Sequence, residues 1–335
     1  MEPTKLRRAT AVRFTLGLLF ACGCYWAQAP RPDGAGVEPG ELPKSWITGG
    51  PRCMEVPDWQ VHEYNADFYI IRESGCTHYE KPFIYLIFGK ERAMIIDTGA
   101  GENDIGRFSQ TVLRKWLLRR KRESMPLLVT HSHAHSDHIA GDKQFQGLPN
   151  VKFVPATIEA AQKEFGITSW PDSIGSIDLG DRVLDVIPTP GHEAAHIMFY
   201  DRRTGVLLTG DNLYPGRLYV SDFPAFVAST RRVVQFTEGK IVTYLLGCHI
   251  EQSSTPYKDY TVGSIYQPRE HVLQLSRSHL LELNDALAKL NGKPAQVAYP
   301  DFTIWPNDPK LREERQKIRE ITESRQREKQ WNQPD

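Results

Sequence analysis

The sequence has few cysteines, no excess of charge of either sign and no apolar run long enough to cross a membrane. Of its 5 cysteines, only Cys53, Cys76 and Cys248 lie beyond the N-terminal segment. Such an odd, sparse set excludes a disulfide framework but allows one Cys53–Cys76 bridge outside the cytosol. The 41 basic and 41 acidic residues balance to a formal net charge of zero. Because no basic stripe interrupts this balance, we expect no nucleic-acid partner.

The N-terminus has the composition of an export signal. Basic residues precede an apolar run at 14–24, and Ala27 and Ala29 follow as a small-residue cleavage site. The run is shorter than the roughly 20 apolar residues that span a bilayer. We therefore predict an exported protein, periplasmic or secreted. Three modes stay open: cleavage, lipid attachment at Cys22 or Cys24, and a retained short anchor, so any membrane contact is through that segment alone.

Composition divides the chain into four segments. Forty per cent apolar and 24% charged residues describe an ordinary globular protein. Residues 1–29 form the signal peptide or anchor, and the Pro- and Gly-rich residues 30–58 form a linker or arm. Residues 59–300 form the globular domain that carries the motifs described below. Residues 301–335 form a charged tail, partly helical over Lys310–Lys329.

Within the globular domain, apolar runs of strand length alternate with helical patterns. The predicted strands are Phe68–Arg72, Phe83–Phe88, Ala93–Asp97, Pro126–Thr130, Val151–Val154, a hairpin over Ile177–Ile187, Ile197–Tyr200, Val206–Gly210 and Tyr244–Gly247. The predicted helices are Asp104–Arg119, Ala156–Phe165 and Glu270–Leu290. This alternation favours the α/β class.

Four histidines and a carboxylate fall within the nine residues Thr130–His138. Within this run, His133-x-His135-x-Asp137-His138 can supply ligands to two adjacent metal ions from one loop. Imidazole and carboxylate without thiolate suit zinc, iron or manganese better than a structural zinc–cysteine site does. The run therefore predicts a metal centre.

Three further candidate ligands stand where predicted strands end. His192 follows the turn after the Ile177–Ile187 hairpin, Asp211 follows Val206–Gly210, and His249 comes shortly after Tyr244–Gly247. Side chains on loops that a rigid sheet holds are how many enzyme sites are built. We therefore expect these residues to join the histidine cluster in one site.

The order and context of these residues resemble the metallo-β-lactamase superfamily over residues 60–250. The motifs that carry the resemblance are Asp97-Thr-Gly, His133-x-His135-x-Asp137-His138, Pro188-Thr-Pro-Gly-His192, Leu208-Thr-Gly-Asp211 and Leu246-Gly-Cys-His249. The resemblance implies an α/β fold, a four-layer αβ/βα sandwich, with a binuclear metal site at one edge. It also implies that Asp97 is a buried carboxylate that orients the site without touching metal.

The resemblance also assigns the ligands of two zinc ions, with iron or manganese as alternatives. His133, His135 and His192 are expected to hold the first ion. The second ion is expected on Asp137, His138 and His249, with Asp211 bridging the pair.

Such a centre predicts a hydrolase of small molecules. Two cations about 3.5–4 Å apart can hold a bridging hydroxide that attacks an ester, thioester, lactone or lactam carbonyl. Asp137 is expected to act in catalysis by accepting the proton of the nucleophile. An aspartate at 211 is nearer to the glyoxalase II, lactonase and thioesterase-like branches than to the β-lactamases that carry a thiolate there. The motifs specify neither the substrate nor the oligomeric state.

Three other interpretations stay open. The first is a single-iron persulfide dioxygenase of the same fold, with His133, His192 and Asp211 as ligands. The second is a β-lactamase, which the aspartate at 211 disfavours. The third is a metal-loaded binding protein without turnover, which the full ligand set disfavours.

Several residues near the motifs receive weaker predictions. His131 is expected to be a strand-end neighbour of the site, and His196 a structural histidine. Cys248 is expected to be a small buried residue. Substrate contact and packing are equally compatible with the residues that follow Asp211: Tyr214, Arg217 and Tyr219.

Overall fold

The part of the chain that can be described begins after the predicted export segment. The computed structural model describes residues 36–49, 53, 56–101, 103–307, 317 and 320. The predicted segment 1–29 and nearly all of the predicted helix Lys310–Lys329 lie outside these residues. Across the described residues, no helix combines the length and apolar character that a membrane crossing requires.

Six strands form the first sheet, in the order in which they follow along the chain. They are β1 Trp59–Asn65, β2 Phe68–Glu73, β3 Phe83–Phe88, β4 Ala93–Ile96, β5 Leu127–Thr130 and β6 Val151–Phe153. Neighbours from β1 to β4 pair antiparallel, whereas β4, β5 and β6 pair parallel. The four strands from β2 to β5 are buried along their whole length. Successive side chains of a strand point to opposite faces, so other parts of the protein must pack on both faces of the sheet here.

The second sheet also has six strands, in the order β13-β12-β10-β9-β8-β7. They are β7 Gly175–Asp178, β8 Val183–Pro188, β9 Ile197–Asp201, β10 Val206–Gly210, β12 Tyr244–Gly247 and β13 Gln274–Leu275. β10 and β12 pair parallel, and the other neighbours pair antiparallel. The parallel pair matters for the site because parallel strands end at the same edge of a sheet.

A small third sheet joins two distant parts of the chain. Its strands are β11 Arg217–Val220, β14 Val297–Ala298 and β15 Thr303–Pro306. β11 pairs parallel with β15, which pairs antiparallel with β14. Regular structure therefore continues past residue 300, where we predict the globular domain to end. The division into domains remains a prediction.

The described residues include five whole α-helices. They are α1 Ile105–Arg119, α2 Ser136–Ile139, α3 Ile158–Phe165, α4 Phe223–Phe236 and α5 Arg277–Lys289. The predicted helix Asp104–Arg119 is confirmed, and the Asp104 carboxylate caps it by accepting from the backbone N–H of Arg107. The predicted helix near Ala156–Phe165 is confirmed from residue 158 onward.

Three apolar clusters show that the elements stack in four layers. The central cluster joins both sheets, for example through Phe68 and Tyr85 of the first and Phe199 and Leu208 of the second. A second cluster packs α1 on the first sheet, and a third packs α4 and α5 on the second. The predicted αβ/βα sandwich is confirmed, with helices outside two sheets that share one core.

The structure shifts the start of one predicted helix and adds elements that were not predicted, among them the short α2, β11, β14 and β15. The predicted helix Glu270–Leu290 begins at Arg277, because Ser276 caps it and Gln274–Leu275 pairs as an edge strand with β12. The strand Trp59–Asn65 and the helix Phe223–Phe236 were not predicted. Polar residues interrupt the apolar pattern of the strand, whereas apolar residues recur at helical spacing in the helix, at 223, 226, 227, 233 and 234, so its pattern is predictable.

The cysteines follow the sequence prediction. Cys53 and Cys76 form a disulfide, which ties the segment before β1 to the loop between β2 and β3. Cys248 is a buried free thiol.

Candidate metal centre

The seven predicted ligands converge at one edge of the sandwich. Each stands on a loop or short helix where a strand ends: α2 follows β5, and the loops after β8, β10 and β12 carry the others. The ligand atoms fall into two groups, and within each group they lie within 4.8 Å of one another. The first group, which we call the nitrogen group, is His133, His135 and His192. The second, which we call the carboxylate group, is Asp137, His138, Asp211 and His249.

In the nitrogen group, three imidazoles point ring nitrogens at one another. His135 Nδ1 lies 3.1 Å from His133 Nε2 and 2.9 Å from His192 Nε2. Burial, with help from the His138 imidazole, lowers the pKa of His133 well below its usual value, and burial lowers the pKa of His192 to about 4. Neutral imidazoles with converging lone pairs are the form in which histidine binds metal.

In the carboxylate group, two aspartates approach two imidazoles. Asp137 Oδ2 lies 3.1 Å from His138 Nε2 and 3.2 Å from His249 Nε2. Burial lowers the pKa of His138, but the carboxylates of Asp137, Asp211 and Asp97 outweigh burial and hold that pKa well above its usual value. The negative charge of this group makes it a site for cations.

Asp211 lies between the two groups. Its Oδ2 is 3.3 Å from His249 Nε2, 3.5 Å from His192 Nε2 and 3.9 Å from His133 Nε2. Burial raises the pKa of Asp211, but the neighbouring His249 and His138 imidazoles lower it further, so the carboxyl is held ionised. One oxygen within reach of both groups is the position that a bridging ligand needs.

The residues present fit two divalent metal ions. Asp211 Oδ1 is buried and has no hydrogen-bond partner among the described residues. A buried carboxylate oxygen without a donor is costly unless a cation lies beside it. Five imidazoles and two carboxylates form a nitrogen and oxygen donor set that suits zinc, iron or manganese.

Oxygen acceptors fix the orientation of four ligand rings through their second nitrogens. His192 Nδ1 donates to the carbonyl of Tyr219 at 2.7 Å, and His249 Nδ1 donates to the carbonyl of Glu80 at 2.9 Å. His133 Nδ1 lies 3.0 Å from Ser132 Oγ. These contacts leave the Nε2 lone pairs facing the site, as in many metal centres.

Asp97 lies behind the ligands and orients them through hydrogen bonds. Its carboxylate accepts from the Ser132 backbone N–H at 2.7 Å, from Ser132 Oγ at 2.8 Å and from His138 Nδ1 at 2.9 Å. Cys248 Sγ also approaches it, at 3.4 Å. Asp97, His138 and Cys248 could themselves hold a metal ion, but these hydrogen bonds account for their closeness. The geometry agrees with the orienting role predicted for Asp97.

Two histidines near the site lie outside both ligand groups. His196 Nε2 accepts from the Asp211 backbone N–H at 3.1 Å, and His196 Nδ1 lies 2.8 Å from Thr189 Oγ1. His131 contacts the Val154 carbonyl and the Asp142 carboxylate through its two nitrogens. Both histidines use both nitrogens for structure, as the sequence predicts.

The residues that follow Asp211 serve the wall of the site rather than its ligand groups. Tyr214 OH donates to the Arg217 carbonyl and lies 3.3 Å from Glu251 Oε2. Tyr219 OH points to the same carboxylate at 3.4 Å. Burial alone would lower the pKa of Arg217, but Glu251 and other anionic neighbours raise it. These contacts favour packing and charge pairing over a direct role in the reaction.

A cavity of about 160 Å³ opens beside the ligands. Its wall includes Lys81 from the loop before β3 and Gln267 from the loop before β13. Neither residue was predicted, because both stand in irregular segments without a motif. Only their burial in the folded chain marks them: both are 3% exposed.

The fold and the site together define a four-layer α/β protein with a histidine–aspartate metal centre. The sequence profile of the family described as "Metallo-beta-lactamase superfamily" matches residues 81–249. The chain belongs to this superfamily. Superfamily members typically bind divalent metals, as the two ligand groups require.

Relatives by sequence place the chain among hydrolases. It is 25% identical over 232 residues to the acyl-coenzyme A thioesterase MBLAC2 of Bos taurus, covering 58% of this chain and 83% of that one. It is 31% identical over 112 residues to a hydroxyacylglutathione hydrolase of Chelativorans sp. (strain BNC1), covering 32% and 43%. A metallo-beta-lactamase from Pontibacter korlensis aligns with a TM-score of 0.45 at 19% identity, covering 69% of this chain and 99% of that chain. The prediction of a superfamily hydrolase is confirmed.

Proposed function

We propose that the protein is a zinc-dependent hydrolase that cleaves small acyl thioesters. The observation that carries this proposal is the position of Asp211, whose Oδ2 lies within 3.9 Å of nitrogens from both ligand groups. Among the carbonyl substrates that the sequence allows, the names of the relatives favour acyl groups carried on thiols. Both coenzyme A and glutathione carry acyl groups in that way.

Seven side chains would hold the two ions. His133, His135 and His192 would hold the first, and Asp137, His138 and His249 the second, with Asp211 between them. When bound, such a pair of ions supplies Lewis acidity toward the carbonyl and an activated water at neutral pH.

Asp137 is placed to take the proton that hydrolysis releases. It lines the cavity, and its Oδ2 faces His138 and His249. Burial raises its pKa, but these two imidazoles lower it further, so the carboxylate is ionised. Water adds to the carbonyl carbon and the C–S bond breaks. The thiol leaves with a proton, and the acyl group leaves as a carboxylic acid.

No cysteine is among the described residues that line the cavity. Cys248 is buried against Asp97, and burial raises the pKa of its thiol far above the usual value. A protonated, enclosed thiol is inert. Hydrolysis by activated water therefore fits this site better than a covalent acyl-enzyme route does.

We also propose that the protein acts outside the cytosol, periplasmic or secreted. The basic and apolar N-terminal residues support export, and so does the Cys53–Cys76 disulfide, since such bonds persist in oxidising compartments. Alkylation of free thiols in protein from the exported fraction, followed by mass analysis, tests this. Blocked Cys53 and Cys76 are expected, whereas alkylation of both in native protein would contradict it.

Metal analysis coupled to a substrate panel tests the enzymatic proposal. We expect about two zinc ions per chain, and turnover of short-chain acyl thioesters ahead of lactones and β-lactams. One iron per chain with oxygen uptake on a persulfide would replace the proposal with the dioxygenase. Preferred turnover of β-lactams would replace it with a β-lactamase.

A further inference from the structure

Two cationic side chains line the cavity beside the ligand groups, and the structure treats them differently. Lys81 and Arg217 both reach this cavity, whose volume of about 160 Å³ is below the roughly 300–1,000 Å³ of pockets for drug-sized ligands. The space therefore suits the reacting end of a substrate rather than a whole coenzyme. The carboxylates of Glu80 and Glu251 also line the cavity, so an anionic end would have to bind at Lys81 or Arg217.

Arg217 already has carboxylate partners. Its guanidinium lies 3.6 Å from Glu251 Oε2 and 3.5 Å from Asp259 Oδ2, and it donates to the Tyr260 carbonyl. Two acidic neighbours offset its single charge. Arg217 is therefore poorly suited to bind a substrate anion.

Lys81 has no such partner. Its ammonium donates to the Ser264 carbonyl at 2.9 Å, and no carboxylate of the described residues lies within 4.0 Å of it. The side chain is 3% exposed, and its stem packs on Gly75, where an added Cβ would lie 2.7 Å from Lys81 Cδ. Glu270 and Glu251 stabilise the charge of this buried ammonium only from a distance, so it has no direct ion pair and can still donate to an anion.

The nearby acidic residues are engaged elsewhere. Glu270 receives two hydrogen bonds from Arg72, at 2.7 and 2.6 Å. Glu251 contacts Arg217, and Glu80 accepts from Tyr79 OH at 2.9 Å. Burial lowers the pKa of Lys81 to about 8, which still leaves most of the side chain protonated at neutral pH.

We propose that Lys81 binds an anionic group of the substrate, a carboxylate or a phosphate, at the wall of the cavity. This inference rests on the proposed function, because it assigns a charge class to the substrate of the same site. The loop of Lys81 is tied to the metal centre, since the carbonyl of the preceding Glu80 accepts from His249 Nδ1 at 2.9 Å. A charge-assisted hydrogen bond from Lys81 would therefore fix the acyl group relative to the ligands.

A second buried group supports a polar ligand at this wall. Gln267 lines the cavity, and its Oε1 has no hydrogen-bond partner among the described residues. Buried amide oxygens are normally paired. An N–H or O–H of the same ligand would satisfy this acceptor while Lys81 holds the anion.

Binding to matched uncharged and charged probes tests the role of Lys81. The probes are 3-(propylthio)propanoate, its carboxamide and 2-(propylthio)ethylphosphonate, which cannot be hydrolysed, titrated calorimetrically into zinc-loaded full-length protein. We expect the wild type to prefer an anion over the carboxamide. In Lys81→Met, which keeps the stem, anion binding should weaken at least about ten-fold, with carboxamide binding nearly unchanged.

Two further variants keep the inference testable. Lys81→Arg should retain a preference for the anions, and Lys258→Met, which removes an exposed charge outside the cavity, should bind all probes as the wild type does. Equal loss of charged and uncharged probes in Lys81→Met would overturn the inference. If Lys81→Met does not fold, a wild type that binds the carboxamide as tightly as both anions overturns it.

The two anionic probes separate the sources of charge. Tighter binding of the propanoate assigns a carboxylate, and tighter binding of the phosphonate assigns a phosphate. The proposed function is tested apart from this, by hydrolysis of S-butanoyl-3-mercaptopropanoate and its carboxamide. Charge-selective binding without hydrolysis would contradict the proposed function but would still support the role of Lys81. Hydrolysis of both thioesters at equal KM in wild type and Lys81→Met would support the proposed function and contradict the role of Lys81.

Discussion

The nitrogen group and the carboxylate group lie side by side, yet their electrostatics are opposite. In the nitrogen group, imidazoles face imidazoles, and the pKa values of His133 and His192 are lowered, chiefly by burial. In the carboxylate group, imidazoles face aspartates. Burial opposes the positive charge there too, but the carboxylates prevail and hold the pKa of His249 well above its usual value. The same side chain is thus tuned in two directions by its neighbours.

This difference teaches how the site balances charge. The nitrogen group would bring three neutral donors to the first ion, whose charge only the shared Asp211 would offset. Asp137 and Asp211 offset part of the charge of the second ion, and Asp97 adds one more negative charge behind His138. Two divalent ions carry four positive charges against these three carboxylates. The one positive charge left over is the charge that an activated hydroxide on the ions would offset.

Removing one ligand from the nitrogen group together with the shared aspartate should have the largest effect. In His133→Ala combined with Asp211→Ala, each ion loses ligands, so we expect metal-free protein and turnover at the uncatalysed rate. The sandwich should stay folded, because its core lies between the sheets and not at this edge. Elemental analysis, thioester turnover and circular dichroism measure the three quantities.

The control for this variant is His62→Ala with Asp172→Ala, which changes the same residue types far from the ligand groups. It should keep its metal and its activity. Wild-type rates in the double ligand variant would refute the assignment of the centre.

Single changes in each group should sharpen the comparison. His192→Ala removes a ligand from the nitrogen group alone, and His249→Ala removes one from the carboxylate group alone. We expect each variant to bind about one ion instead of about two, with strongly reduced turnover. Elemental analysis of both proteins after dialysis measures this. Loss of both ions from either variant would show that the groups do not bind independently.

Asp97→Asn should have a smaller effect, directed at the carboxylate group. The amide keeps the size of the side chain but loses the charge that receives the His138 Nδ1–H. Metal affinity should fall about 10–100-fold, as for other outer partners of metal ligands. Competition with a chromophoric chelator measures the affinity of each ion. Ser132→Ala removes the oxygen beside His133 Nδ1 and a donor to Asp97, so it should weaken metal binding in both groups. An equal loss of affinity for both ions in Asp97→Asn would contradict an effect directed at the carboxylate group.

The ligand groups were predictable and the cavity wall was not, for a physical reason. His133, Asp211 and His249 stand directly after buried strands, and strand ends can be located from apolar runs that stop at a turn. The metal also restricts which residue types occur there. Lys81 stands in the irregular loop between β2 and β3, and its importance comes from the lack of a direct ion pair among the described residues. No local pattern records such an absence.

The same reasoning explains the boundary of the last helix. The apolar spacing of Val272 continues the pattern of α5, yet Val272 is exposed and precedes the helix. Ser276 caps α5 and leaves Leu275 to pair with Leu245 of β12. A tertiary partner for the edge strand thus overrides a helical period.

His196→Ala should have the smallest effect on metal binding, and it tests where the two groups end. His196 lies beside the nitrogen group, with its ring centroid 5.2 Å from that of His133. Both of its nitrogens are used, one by the Asp211 backbone N–H and the other by Thr189. We therefore expect about two ions to remain bound. Stability should fall by about 1–3 kcal/mol, because the Asp211 N–H loses its acceptor in a buried place.

Urea unfolding and elemental analysis of the same sample separate these two outcomes. Phe165→Leu, a core change remote from the ligands, is the control for a loss of stability that leaves metal content unchanged. Loss of one ion in His196→Ala, without a similar loss in the control, would make His196 a member of the nitrogen group. Retention of both ions would leave His133, His135 and His192 as the members of the nitrogen group. His196 would then support the site only by accepting from the Asp211 backbone N–H.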